Sequence, residues 1–236
     1  MILITTSSLL ITYKGSRVVK RIVEGVKSFV SVLFEPVSLF NKLIEKPKNF
    51  YPFILIMLIG IFLVLSTSQF IIQEISHLFE LEEKVSNSAI IIGIFSFIIS
   101  GGLLIEWLIQ AIVIYFMVSL FSTETREFRA VSSIIGYSWV PIAIKVISFS
   151  LLVMFSGELY EIKGFSGILK DTDNSLLNSF LKNIDFFVIW QYIILYLGVK
   201  ILIRDSSKWM SIMIITFTFL LNTILKIIPE FFTSFM

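Results

Sequence analysis

Cysteine is absent and histidine occurs once, at His77. Disulfides, thiolate metal sites and cysteine nucleophiles are therefore excluded, and the single histidine leaves little room for a histidine-based metal site or catalytic dyad. Charge is scarce. Only 15% of residues are Asp, Glu, Lys or Arg, where a soluble domain carries about 25%. The formal net charge of +2 gives nucleic acid no footing. Catalytic motifs are missing as well: there is no H-E-x-x-H, no G-x-x-x-x-G-K-[ST] and no G-x-S-x-G. Intramembrane aspartyl chemistry needs two buried aspartates. Asp185 and Asp205 read as span ends, and Asp171 and Asp173 as loop residues. No catalytic residue, no metal ligand and no cofactor is expected, and the chain reads as a non-enzyme.

What is plentiful is apolar. Hydrophobic residues make up 56% of the chain, Phe alone occurs 24 times, and the mean hydropathy is +0.93. These values indicate an all-α polytopic membrane protein. The first residues, MILITTSSLLIT, are apolar and precede Lys14, Arg17, Lys20 and Arg21. A secretory signal has the reverse order, and a segment this short does not span. It reads as an uncleaved tail.

Residues 17–34 repeat at helical spacing. Val18, Ile22, Val26, Phe29 and Leu33 share one side, while Lys20, Arg21, Glu24 and Lys27 take the other. This is the pattern of an amphipathic helix lying on a membrane surface, or of a helix packed on another protein. Glu35-Pro36 breaks it, and Pro36 can open a second short helix with Val37, Phe40, Leu43 and Ile44 on one side.

About five spans follow by hydropathy, near 53–73, 89–121, 134–155, 184–203 and 209–228. The expected division is a cytosolic amphipathic tail over 1–50 and a transmembrane domain over 51–236. The second span is long, about 50 Å as a helix against a hydrocarbon core of about 30 Å. It must tilt, extend beyond the bilayer or break, and Gly101-Gly102 is the expected break or close-packing point.

Lysine and arginine favour one side. Lys14, Arg17, Lys20, Arg21, Lys27, Lys42, Lys46 and Lys48 precede span one, Arg126 and Arg129 follow span two, and Lys200, Arg204 and Lys208 follow span four. The other side has Lys84, Lys163, Lys170, Lys182 and Lys226. The positive-inside rule places the amino terminus in the cytoplasm and, with five spans, the carboxyl terminus outside the cell membrane. Glu74, Glu80, Glu82 and Glu83 suit an outer loop. The long connection 156–183 contains LYEIKGFSGIL, apolar enough to fold back onto the membrane surface.

Three kinds of intramembrane residue are candidates for a role. Glu106 and Lys145 lie inside spans two and three. A charge at the bilayer centre costs about 2.5–3.5 kcal/mol on insertion scales, so pairing is the expected relief. Similar depths make Glu106 and Lys145 the expected pair, read as a structural ion pair docking the two spans. A proton or substrate relay and a snorkelling Lys145 are the alternatives. Gln110, Gln191 and Asn222 are expected polar glue between helices. Gly136, Tyr137 and Pro141 open span three, with Tyr137, Pro141 and Lys145 on one face turned toward Glu106. Tyr137 and Trp139 are expected at the interface, where aromatic rings are favoured.

The stretch RAVSSIIGYSWVP, Arg129 to Pro141, resembles the Yip family of Ypt/Rab-interacting membrane proteins, most closely its bacterial branch. The element Gly136-Tyr137-x-x-x-Pro141 carries the likeness. IDFFVIWQYIILYLG, Ile184 to Gly198, is similar to the family's D-x-F-x-x-W followed by glycine. LFEPVSLFNKLIEKP before span one is a looser match. The resemblance implies a five-span bundle with a cytosolic amino terminus. Eukaryotic relatives bind small GTPases in vesicle trafficking. That role does not carry over to a bacterial-type chain with a short tail, and a small GTPase is not an expected partner. Fold-level likeness does not fix function.

Two functions are in contention. One is an accessory or assembly partner of another membrane complex, such as an ABC-type exporter or a peptide-defence system, in contact with lipid and a transporter subunit. The other is a small permease or channel using Glu106, Gln110 and Lys145. A lipid-handling protein is a distant third. A continuous polar cavity reaching Glu106 and Lys145 would favour transport, and a closed ion pair would favour a scaffold.

Overall fold

The structure, a computed structural model, describes residue 19 and residues 23–78, 88–122, 124–168, 175–204 and 208–233. The first eighteen residues, Lys20, Arg21, Ile22, Glu80, Glu82, Glu83, Lys84, Lys170, Asp171, Asp173 and Asp205 lie outside the described residues. The elements are α1 (residues 23–34), α2 (Pro36–Glu45), α3 (Phe50–Leu78), α4 (Ser88–Phe121), α5 (Phe128–Ser138), α6 (Val140–Ser156), a 3-10 turn (Gly164–Gly167), α7 (Ser175–Lys182), α8 (Phe186–Leu202) and α9 (Lys208–Thr233). No strand occurs among the described residues.

Phe50–His77, Ala89–Phe121, Phe128–Ser156 and Lys208–Ile227 are long and apolar enough to cross a bilayer, and Phe186–Leu202 is a shorter apolar helix. With 17 residues, α8 reaches only about 25 Å. The missing depth is made up by the connection before it. Phe165 N–H donates to Ile184 O at 2.9 Å, and the Phe180 ring of α7 meets Phe219 of α9 with centroids 6.3 Å apart. Phe219 lies about 16 Å along α9 from its start, so α7 sits alongside the bundle rather than beyond it.

The helices close a ring. α3 packs on α4, α4 on α9, α9 on α8, α8 on α6 and α6 back on α3. α5 fills the middle of one end, touching α2, α3, α4 and α8. Every residue from Ala130 to Pro141 is buried. The third span therefore changes place at its bend. Its first half is the central plug, and its second half, α6, is a wall of the ring. Pro141 sets the bend: it has no N–H to donate back along α5, and it stands in the first turn of α6, where none is needed.

α4 runs unbroken from Ser88 through Phe121 across Gly101-Gly102, so the expected break does not occur. A Cβ on Gly101 or Gly102 would meet nothing within 4 Å, so neither glycine is a close-packing point within this chain. Glycine in a helix costs only about 1 kcal/mol relative to alanine. In hydrocarbon an opened backbone costs several kcal/mol per unsatisfied group, so the helix persists.

The lead-in has three faces rather than two. Gly25, Ser28, Phe29 and Val32 turn toward the bundle, with Phe29 5.5 Å from the Tyr137 ring. Val19, Val23, Val26, Val30 and Phe34 form an exposed apolar stripe, and Glu24 and Lys27 an exposed polar one. In α2, Leu39, Phe40 and Leu43 enter the core. Gly198 makes room for this, since a side chain there would collide with Ile134 and crowd the Phe40 ring.

Candidate functional site

The segment Ser132 to Pro141 is held residue by residue. Ser133 Oγ accepts from the Lys48 backbone N–H at 3.0 Å, and Asn49 Nδ2 donates to Ser132 Oγ at 2.9 Å. These two bonds fix the chain just before α3. Trp107 Nε1 of α4 donates to Ser132 O at 3.1 Å. Gly136 lies where a Cβ would collide with Pro52 and stand 3.1 Å from Trp107 Nε1. Its missing side chain is what lets α3, α4 and α5 converge. Trp139 Nε1 donates to Gln110 Oε1 at 2.9 Å, in full burial. This bond joins α4 to the α5–α6 bend. Asn222 Nδ2 donates to Tyr192 Oη at 3.1 Å, joining α9 to α8. Gln191 is buried on α8.

Tyr137 and Trp139 are not interfacial aromatics: their residues are 0% and 2% exposed. Burial in the central plug overrides the interfacial preference. Tyr137 faces the Phe29 ring of α1 and lies beside Ser28, not Glu106.

Glu106 and Lys145 do not pair with each other. Glu106 of α4 meets Lys226 of α9 at 3.0 Å. Lys145 of α6 meets Asp185, whose other carboxylate oxygen accepts from Phe187 N at 2.8 Å and Val188 N at 3.0 Å. The ring explains the correction. α4 and α6 are not neighbours in it, since α3 separates them on one side and α9 and α8 on the other. Equal depth does not mean adjacency. Asp185 was hidden by the shortness of α8. Measured along the chain from the Ile134–Gly198 crossing, Lys145 lies about 16 Å on through α5 and α6 and Asp185 about 20 Å back along α8. One aspartate thus caps a helix and neutralises a lysine. The signal in the sequence was a lone aspartate before an apolar run, the mark of an N-cap.

The two pairs differ in surroundings. Lys145 and Asp185 are 24% and 15% exposed, whereas Lys226 and Glu106 are 47% and 26% exposed. Glu106 and Lys226 line an open groove of about 270 Å³ between α4 and α9, with Gly102, Ile105, Ile109, Asn222 and Leu225. Lys145 is not part of it. No group of three or more metal-ligating side chains occurs among the described residues.

A second cavity, of about 590 Å³, lies at the other end of the bundle between α2, the α4–α5 connection, the end of α8 and the start of α9. Arg126 stands at its edge, donating from Nε to Leu202 O at 3.1 Å and pairing with Glu124. A cation on the last carbonyls of α8 complements the helix dipole.

An all-helical ring of apolar spans around a buried bent helix defines a polytopic membrane protein. The chain belongs to the Yip1 domain family, whose model matches residues 30–228. The match includes the capping aspartate, the glycine contact and the bend described above. Searches of curated proteins and of solved structures return no match.

Proposed function

We propose that the chain is a non-enzymatic membrane subunit that docks another membrane protein along the α4–α9 groove. It would serve as the accessory or assembly partner of a complex such as an ABC-type exporter or a peptide-defence system. The observation that carries this reading is the Glu106–Lys226 pair, half open on the outer side of the ring, with Glu106 near the middle of α4 and Lys226 reaching back from the end of its span. A polar pair facing hydrocarbon lacks partners for its remaining lone pairs and protons. A transmembrane helix bearing a hydroxyl or amide would supply them, and bare Gly102 leaves that helix room to approach. The separation of the two ion pairs supports docking over a permease, because the groove at Glu106 does not extend to Lys145. The basic end, with Arg126, Arg129, Lys200, Arg204 and Lys208, supports a cytoplasmic amino terminus and an extracytoplasmic carboxyl terminus in the cell membrane. The division into a 1–50 lead-in and a 51–236 spanning unit belongs to the same proposal.

The test is an affinity purification in gentle detergent, comparing the wild type with Glu106→Leu/Lys226→Leu. The expected outcome is a membrane protein recovered with the wild type and lost with the double variant. Recovery of the same membrane proteins with both, or of none with either, would reject the docking groove.

A further inference from the structure

The cavity at the basic end has the chemistry of a phosphate site. Arg126, Lys200, Arg204 and Lys208 line it, together with Glu45 and Glu124. Glu124 is taken up by Arg126, and Arg126 is also held by the Leu202 carbonyl. Lys200, Arg204 and Lys208 form no ion pair among the described residues, and the described lining carries an excess of two positive charges. Capping of α8 does not account for them, because Arg126 already reaches its last turn.

The remaining wall is mostly apolar. Val37 and Ile44 of α2 and Leu197 and Ile201 of α8 form it, with Asn41 of α2 as its polar member. Trp209, beside Lys208, is 78% exposed, as an interfacial anchor would be. Basic mouth, apolar side wall and a position at the ends of two spans match an amphiphile better than a soluble anion.

We infer that this cavity is a binding site for a phosphate ester, filled by the headgroup of an anionic phospholipid from the adjacent leaflet. Lys200, Arg204 and Lys208 contact the phosphate, and the acyl chains leave along the apolar wall. α2 forms one side of the cavity, so the bound lipid ties the lead-in to α8 and α9. The site is independent of the α4–α9 groove.

The test uses the full chain purified in gentle detergent, with lipid binding followed by native mass spectrometry. Phosphatidylglycerol is the anionic probe, phosphatidylcholine the neutral one and glycerol phosphate the soluble one. A cation in direct contact with the phosphate contributes about fivefold to the affinity, so Lys200→Gln/Arg204→Gln should weaken phosphatidylglycerol binding about 25-fold. The charge-matched control Lys46→Gln/Arg129→Gln removes two exposed cations of the same end that do not line the cavity. It should leave binding within about twofold, the scale of general surface attraction. Lys208→Gln, at the exposed start of α9, should lose about fivefold and serves if the double variant elutes or unfolds unlike the wild type. Equal losses in cavity and control variants, or phosphatidylcholine bound as tightly as phosphatidylglycerol, would overturn the site. Glycerol phosphate bound in the absence of any phosphatidylglycerol binding would overturn the lipid as its occupant.

Discussion

Gly136 and Gly102 are the same residue type in neighbouring helices, yet they have opposite surroundings. Around Gly136 the space for a methyl group is already taken by Pro52 and Trp107. Around Gly102 it is empty. Forcing a methyl into a packed seam costs about 1–3 kcal/mol. Replacing an unconstrained helical glycine by alanine gains up to about 1 kcal/mol. Gly136→Ala should therefore destabilise the purified protein, while Gly102→Ala leaves it unchanged or raises its unfolding temperature. Both would be read from thermal unfolding in detergent. A harmless Gly136→Ala would mean that α5 is not wedged between α3 and α4. The sequence announced Gly136 through its setting, a small residue among aromatics at the opening of a span. It misled at Gly101-Gly102, because a glycine pair looks the same whether a neighbouring helix is present or absent.

Among the elements, α6 and α8 depend on each other through a single aspartate. Asp185 caps α8 with two backbone N–H groups and pairs with Lys145. The two tasks can be separated. Asparagine caps about as well as aspartate but carries no charge, so Asp185→Asn removes the pair alone. Asp185→Ala removes both and leaves Lys145 unmatched, and should cost about 3 kcal/mol or more. Lys145→Met leaves the carboxylate on its capping bonds and should cost less. Lys145→Met/Asp185→Asn should recover part of the loss of Asp185→Asn, measured by the detergent denaturation midpoint. An Asp185→Ala no worse than Asp185→Asn would remove the capping role, and strict additivity of the double variant would remove the pairing. Span positions were legible because a run of apolar residues needs no partner to be recognised. Span adjacency was not, since it depends on which helix α3 and α9 keep apart. Hence Lys145 and Glu106 were rightly seen as needing partners but were assigned to each other.

For the whole molecule, the ring and its central plug give the bundle two unlike ends. One end gathers α2, the α4–α5 connection, the end of α8 and the start of α9, and carries Arg126, Arg129, Lys200, Arg204 and Lys208. The other has the end of α6, the 3-10 turn and α7, with Glu158, Glu161, Lys163 and Lys182. Both proposals use this polarity. The lipid site needs the basic end at an anionic leaflet, and a partner must meet the groove in a fixed orientation. The lack of cysteine makes the orientation directly measurable, because any introduced thiol is the sole reactive one. Thr125 and Glu158 are exposed at opposite ends. In intact cells a membrane-impermeant maleimide should label Glu158→Cys and leave Thr125→Cys unlabelled until the membrane is opened. The reverse pattern would invert the topology and remove the anionic cytoplasmic leaflet as the source of the proposed lipid. Labelling of both before lysis would mean that Thr125 and Glu158 do not lie on opposite sides of the bilayer.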